Sequence, residues 1–159
     1  MQSKYDIPII GSGIGELTCG YILSKNRYKV AIFEQGAQFG GCLQTFKRRG
    51  VKFETGVHFI GSMGEGQILN RYFYYLSFYT STPLTYSDYT GTKNGAAYGV
   101  MRDINAPRIA HRTKIPNLLL TGKSTNSHGI MGVIIGAIIT CSEFLGRDFL
   151  WKQITTSNP

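Results

Sequence analysis

A cluster of glycines near the start of the chain has the spacing of a phosphate-binding loop. The stretch IIGSGIGELT begins at residue 9, and the first five positions of its Gly-x-Gly-x-x-Gly pattern are Gly11, Ser12, Gly13, Ile14 and Gly15. In such a loop the first glycine makes a tight turn and the second lets the backbone approach a pyrophosphate, while the following helix N-terminus attracts the anion. The stretch therefore predicts a dinucleotide site.

The sixth position of the loop holds Glu16 where the pattern has a third glycine. That glycine normally permits close contact between helix and strand, so we expect the Glu16 side chain to swing outward or to push the helix away. Two unit charges about 4 Å apart repel by roughly 1 kcal/mol in water and roughly 4 kcal/mol at an effective dielectric of 20. Glu16 should therefore weaken the binding of a pyrophosphate by about fivefold to a thousandfold.

The segments around the loop have the pattern of a βαβ unit. Residues 5–10 form an apolar run that ends at a glycine, residues 14–26 carry apolar side chains at helical spacing, and residues 29–34 form a second strand. Pro8 lies inside the first strand, where its missing N–H should remove a ladder hydrogen bond. We predict an α/β fold of the Rossmann type, with a mostly parallel sheet flanked by helices.

Glu34 ends the second strand and could recognise the adenosine of a dinucleotide. A carboxylate at this position accepts hydrogen bonds from the ribose hydroxyls and repels a 2′-phosphate, which favours FAD or NAD over NADP. The neighbouring Gln35 is a further cofactor-binding candidate. A solvated strand-end acid is the alternative interpretation of Glu34.

Two further glycine motifs resemble those of the flavin amine-oxidase-like superfamily. The pair Gly40-Gly41 follows six residues after Glu34, a spacing that favours FAD over NAD. The stretch NLLLTG at residues 117–122, followed by HGxxGV, resembles the C-terminal FAD motif of the same superfamily. There a strand returns beside the first one and a helix N-terminus points at the flavin. The resemblance implies cofactor contacts at Gly122, Gly129, Gly132 and Val133.

Residues 40–61 and 82–99 resemble, more specifically, the branch of phytoene desaturases, carotenoid isomerases and retinol saturases. These FAD enzymes desaturate, isomerise or reduce conjugated polyenes, and a long central region separates their two FAD motifs. Here the motifs are joined across residues 76–81, so the substrate-binding middle is missing. The resemblance implies an FAD-dependent oxidoreductase with an apolar polyene substrate. A shortened module that binds FAD without turnover is the alternative.

We predict a single FAD-binding domain over residues 1–159. Its parts are an N-terminal half at 4–76, a linker or join at 77–97, a C-terminal FAD motif at 98–146 and a frayed polar tail at 147–159. The elements predicted after the βαβ unit are a small hairpin at 43–47 and 51–54 with Gly50 in its turn, a helix at 66–76, a short strand at 115–121 and a helix at 130–145.

No acid, base or nucleophile stands out as catalytic, which is compatible with a flavin supplying the chemistry. His58 could lie near the flavin or be structural, Cys42 is best explained as an inert small residue, and Lys123 could face a phosphate or solvent. Three tyrosines are best explained as helix core and surface; they are Tyr72, Tyr74 and Tyr75.

The charge balance favours an anionic partner. The chain carries 17 Lys and Arg against 9 Asp and Glu, a net charge of +8. The basic residues are scattered without an aromatic pattern, so nucleic-acid binding is not predicted.

The three cysteines lack zinc spacing, so no metal site is predicted and reduced thiols suit a cytoplasmic protein. The longest apolar run is too short to span a bilayer, and docking on an acidic membrane remains an alternative. The oligomeric state is left open.

Overall fold

The computed structural model describes residues 4–54, 64–76, 111–125 and 129–157. The strands are β1 (Ile7–Ile10), β2 (Val30–Phe33), β3 (Thr45–Arg48) and β4 (Val51–Glu54). The helices are α1 (Ile14–Lys25), α2 (Ile68–Leu76), α3 (Gly129–Leu145) and α4 (Arg147–Thr156), with a short 3-10 turn at Gly41–Leu43. The predicted α/β class is confirmed.

The βαβ unit forms as the sequence predicts. Strand β1 pairs in parallel with β2, with Ile7 opposite Val30 at one end. Helix α1 connects the two strands and approaches the sheet closely at Gly20, where a β-carbon would lie 2.9 Å from the Cδ1 atom of Ile32. Because Gly20 provides this close contact one turn further along α1, Glu16 does not push the helix away from the sheet.

Pro8 removes no hydrogen bond between β1 and β2. The Ile7 N–H donates to Lys29 O and the Gly11 N–H donates to Phe33 O, so alternate residues of β1 direct their nitrogens toward β2. The nitrogen of Pro8 falls between these positions and faces the opposite edge of β1. The expected loss of a ladder bond within this pair was therefore wrong.

The small hairpin is confirmed with a shifted first strand. Strands β3 and β4 are antiparallel, and the rings of Phe46 and Phe53 stack with centroids 5.3 Å apart. The turn needs positive φ at both of its residues, and it has 51° at Arg49 and 79° at Gly50. Gly50 adopts this conformation without strain, as predicted.

The core is shared by all four of the described α-helices, each of which contributes buried apolar side chains. Ile22 of α1 and Ile134 of α3 are fully buried. Gly132, Gly136 and Thr140 are all buried on α3, as their small size and shared face predict. Within the described segments no helix is long and apolar enough to cross a membrane.

Two predictions for the C-terminal part of the chain were wrong. Residues 115–121 form no strand, because Pro116 and the positive φ of Asn117 (61°) turn the chain, and only a single bridge joins Arg112 to Leu119. The segment after Gly146 is helix α4 and not a frayed tail. Its side chains Leu150 and Ile154, four residues apart, are both completely buried.

Several predictions fall on residues that the structure does not describe. His58, the linker at 77–97 and the first part of the predicted C-terminal motif lie in the undescribed ranges 55–63 and 77–110. The helix predicted from residue 66 begins at Ile68 as α2, and Tyr72 and Tyr75 on it are buried while Tyr74 is exposed. The prediction that these tyrosines form helix core and surface is confirmed.

Candidate dinucleotide site

Three glycine turns from distant parts of the chain meet at the N-terminus of α1. The first is the loop at residues 11–15, the second is the pair Gly40-Gly41, and the third is the turn at Gly122. A β-carbon on Gly41 would lie 3.2 Å from the Cα atom of Gly13, and one on Gly15 would lie 3.1 Å from the Cα atom of Gly122. The Gly40 N–H also donates to Ser12 O over 3.0 Å. At these separations a side chain on Gly41 or Gly15 would force the facing backbone to shift, so packing as well as backbone conformation favours glycine at both positions.

Ser12 connects the loop to the strand-end acid. Its hydroxyl donates a 2.5 Å hydrogen bond to Glu34 Oε2 and accepts one from the Gly40 N–H at 3.2 Å. The residue is 1% exposed, so the Ser12 end of both bonds is buried. Ser12 therefore holds the first glycine turn, the second glycine turn and Glu34 in one arrangement.

Glu34 is held as an ionised carboxylate. Its Oε1 atom accepts a 2.8 Å hydrogen bond from the Gly36 N–H. The hydroxyl of Ser12 and then this N–H lower the pKa of Glu34 below its usual range. A fixed negative charge at this position suits ribose hydroxyls, which donate hydrogen bonds, and opposes a 2′-phosphate. The adjacent Gln35 is exposed.

The Glu16 side chain folds back over the glycine loop. Its Oε2 atom lies 2.7 Å from the position of a β-carbon on Gly13, and its Oε1 atom lies 2.7 Å from the corresponding position on Gly122. The carboxylate thus lies between the first and third glycine turns. The expectation that this side chain swings outward was wrong, because the backbone N–H of Gly13 and that of Glu16 attract the carboxylate to the helix N-terminus.

The environment of Glu16 favours its neutral form. Burial raises the pKa of the Glu16 carboxyl above its usual value, and the nearby charge of Glu34 raises it further. The hydrogen bonds from the backbone and the positive charge of Lys123 lower it, but they do not outweigh burial. The ionised form of Glu16 is therefore less favourable here than that of a carboxylate in water.

The start of α3 contacts the loop through one side chain. A β-carbon on Gly15 would lie 2.9 Å from the Cγ1 atom of Val133. Gly132 is buried beside Val133, and Gly129 begins the helix with a φ of 74°. Ile14 begins α1 and packs against the core. Of the site residues predicted from the C-terminal motif, Gly122 and Val133 thus contact the N-terminal turn of α1.

Lys123 lies beside the second glycine turn. Its ammonium group is 3.6 Å from the Cys42 sulfur, and it acts on the Glu16 carboxylate electrostatically. Both side chains are partly exposed. The Lys123 ammonium group thus lies near the glycine loop, and its pairing with a phosphate stays a prediction.

Two contacts beside the site were not predicted from the sequence. The Cys19 thiol donates to Thr121 Oγ1 at 3.6 Å and also lies 3.7 Å from Ala137 O. Thr140 Oγ1 donates to Leu120 O at 3.0 Å. These bonds fix the segment before Gly122 against α1 and α3. In the sequence, these bonds were indicated only by the short polar side chains of Cys19 and Thr140 on otherwise apolar helix faces.

The residues present fit one half of a dinucleotide. The Glu34 carboxylate, held by hydrogen bonds from Ser12 and Gly36, offers the acceptor oxygens that an adenosine ribose would need. The space over Gly13, which the loop pattern reserves for the pyrophosphate, contains the Glu16 carboxylate. With Glu16 in this position, the residues present do not fit the pyrophosphate.

Comparison with known proteins identifies the N-terminal part of the chain. Residues 9–76 match the family model of the NAD(P)-binding Rossmann-like domain. Over 68 residues, 43% of this chain, the sequence is 46% identical to human all-trans-retinol 13,14-reductase, and the match covers 11% of that protein. No solved structure matches the chain.

Two other relatives extend this comparison. The zebrafish protein named inactive all-trans-retinol 13,14-reductase is 39% identical over 69 residues, 43% of this chain and 11% of that protein. The 4,4′-diapophytoene desaturase of Methylomonas is 37% identical over 60 residues, 38% of this chain and 12% of that protein. The chain therefore matches only a small part of each relative. Its N-terminal part, residues 9–76, is similar to the NAD(P)-binding Rossmann-like domain and, within it, to short stretches of a retinol reductase and a carotenoid desaturase.

Proposed function

We propose that the chain is the dinucleotide-binding part of a flavin-type oxidoreductase whose substrate is an apolar polyene, and that its dinucleotide is FAD. Similarity to a retinol reductase and to a carotenoid desaturase supports the substrate class. The exact polyene and the direction of the reaction are not part of the proposal. Residues 98–146 are proposed as the C-terminal FAD motif of the same domain.

The Ser12–Glu34 hydrogen bond is the observation that carries this proposal. It places a negatively charged acceptor at the end of β2, next to the glycine loop, where a Rossmann fold receives an adenosine ribose. FAD contains this adenosine, whereas FMN has the same flavin without it. The proposal therefore predicts that the protein discriminates between two ligands with identical flavin rings.

Binding of FAD and FMN to the purified chain tests the proposal. We expect FAD to bind more tightly than FMN, with quenched flavin fluorescence, when binding is measured in mildly acidic solution, where the Glu16 carboxylate opposes the pyrophosphate least. Glu34→Ala should weaken FAD binding by at least tenfold, which is about 1.4 kcal/mol. The matched control is Glu65→Ala, which removes the same charge from an exposed residue before α2. Equal binding of FAD and FMN, or no binding of either, would contradict the proposal.

A shortened module that binds FAD without turnover is the second candidate function. The Glu16 carboxylate over the glycine loop favours it, because this group opposes a bound pyrophosphate. Incubation of the FAD-loaded chain with a retinoid or a carotenoid, followed by chromatography of the polyene, distinguishes the two candidates. Repeated turnover supports the oxidoreductase, and bound FAD with unchanged polyene supports the binding module.

A further inference from the structure

The Glu16 carboxylate lies where the loop would receive a phosphate. Its two oxygens are each 2.7 Å from a β-carbon position, one on Gly13 and the other on Gly122. Gly13 is the second glycine of the loop pattern, whose missing side chain leaves room for a pyrophosphate. A phosphate oxygen and a Glu16 oxygen cannot occupy that space together.

The carboxylate is held there by the same features that attract phosphates. The backbone N–H groups of Gly13 and Glu16 face it at the start of α1, where the helix dipole is positive. Lys123 adds a positive charge nearby. A carboxylate and a phosphate are both anions with acceptor oxygens, so Glu16 satisfies the donors that the loop would otherwise offer to a ligand.

We propose that the Glu16 carboxylate is an internal occupant of the phosphate subsite, which a phosphate-bearing ligand enters only when Glu16 is displaced, and that loss of its negative charge makes this displacement easier. This inference rests on the proposed dinucleotide function and describes the regulation of the same site. It also defines a ligand preference. The ribose subsite at Glu34 stays available while the phosphate subsite is filled, so uncharged adenosine is not penalised and pyrophosphate is.

The charged and titratable groups around Glu16 set the direction of its pH dependence. Glu34 lies toward the end of β2, Lys123 follows the third glycine turn, and Cys19 lies one turn further along α1. Burial and the charge of Glu34 raise the pKa of Glu16, as described above. As the pH falls toward this raised pKa, Glu16 loses its charge. Phosphate binding should therefore tighten from mildly alkaline to mildly acidic solution.

The test compares three ligands with three proteins at two pH values. The ligands are adenosine, inorganic pyrophosphate and FAD, and their affinities are measured by calorimetry at about pH 8 and about pH 5.5. The proteins are the wild type, Glu16→Gln and the control Glu65→Gln, which makes the same change at an exposed residue. Circular dichroism verifies that each protein is folded. Because a change of pH alters the charge of Glu16, comparing the wild type at the two pH values tests the inference without any substitution.

We expect Glu16→Gln to bind pyrophosphate and FAD about fivefold to a thousandfold more tightly than the wild type at the higher pH. The wild type should approach the variant at the lower pH, whereas the control should behave like the wild type. Adenosine should bind the wild type and Glu16→Gln equally. Any pH dependence that remains in Glu16→Gln reports groups other than Glu16, including the protonation of the phosphate ligand itself.

The outcomes separate this inference from the proposed function. Equal FAD affinity of wild type and Glu16→Gln at both pH values would overturn the inference and leave the proposed function intact. Binding of pyrophosphate but not FAD by Glu16→Gln would support the inference and contradict the proposed cofactor. If no folded protein of the set binds any of the three ligands, both the inference and the proposed function are wrong.

Discussion

The Ser12 hydroxyl donates a 2.5 Å hydrogen bond to Glu34 Oε2 across 22 positions of the sequence. The bond links the glycine loop, which ends β1, to the acid that ends β2. Ser12 occupies a variable position of the loop pattern, so its role follows from its contacts and not from the pattern. Its hydrogen bond orients the Glu34 carboxylate in the ligand-free protein.

Replacing Ser12 by Ala should raise the pKa of Glu34 toward its usual value. The Ser12 hydroxyl is the largest of the groups that lower this pKa. Because the folded-state pKa of Glu34 is lowered, its ionisation stabilises the fold above the usual carboxyl range, and this stabilisation is lost as the pH falls through the lowered pKa. The difference in stability between wild type and Ser12→Ala should therefore narrow in acid.

Carbon-13 NMR titration of the Glu34 carboxyl measures the effect. Ser24→Ala, on the exposed side of α1 near its end, is the matched control and should leave the Glu34 titration unchanged. An unchanged Glu34 pKa in Ser12→Ala would show that the hydroxyl does not hold the carboxylate.

Gly15→Ala should destabilise the protein by about 1–3 kcal/mol. A β-carbon there would lie 3.1 Å from the backbone Cα atom of Gly122 and 2.9 Å from the Val133 side chain. Moving backbone atoms aside costs more free energy than rotating the end of a side chain. Urea denaturation measures the free energy of unfolding.

Gly20→Ala is the control for this change because Gly20 lies on the same helix. Its β-carbon would meet the terminal Cδ1 atom of Ile32 at 2.9 Å, and that atom can rotate away. Alanine also gains roughly 0.5–1 kcal/mol over glycine within a helix, so we expect a nearly neutral result. Similar destabilisation by both substitutions would mean that Gly15 is not uniquely confined by the third glycine turn.

Leu150→Ala should cost about 2–5 kcal/mol of stability if α4 is an integral part of the core. Leu150 is completely buried, whereas its neighbour Trp151 is 51% exposed. Trp151→Ala should change stability by no more than about 0.5 kcal/mol. Thermal unfolding followed by circular dichroism compares the two. A frayed segment after Gly146 would give small effects in both variants.

Glu16→Gln should stabilise the ligand-free protein at mildly alkaline pH. Burial raises the folded-state pKa of Glu16, so the stability associated with its protonated form is fully present below the usual carboxyl pKa and is lost as the pH rises through the raised value. Glutamine keeps the shape without the charge. The melting temperature of the variant should exceed that of the wild type above the raised pKa, and the two should converge in acid.

Scanning calorimetry across pH measures this difference, with Glu65→Gln as the exposed control. A lower melting temperature of Glu16→Gln at alkaline pH would mean that the interaction of the carboxylate with the helix N-terminus outweighs its burial.

The local elements of this protein could be predicted because their signals are local. Three of these signals act within a few residues: the glycines of the first loop, the apolar spacing along α1 and the turn glycine at position 50. The βαβ unit and the hairpin therefore formed as predicted. The prediction for the C-terminal segment failed because a distant contact decided the outcome. The segment after Gly146 looked polar, and it became helix α4 because Leu150 and Ile154 bury themselves against the helices beside them.

The sequence by itself determined a dinucleotide loop, a strand-end acid at Glu34 and a glycine pair six residues beyond it. It also showed that Glu16 departs from the loop pattern, but not where its side chain goes. That required the tertiary structure, because the Glu16 oxygens lie between Gly13 and Gly122, which are 109 positions apart in the chain and meet only when α1 and α3 pack together. The sequence thus defined the groups of the site, and the packing decided that an internal carboxylate lies in the space reserved for a phosphate.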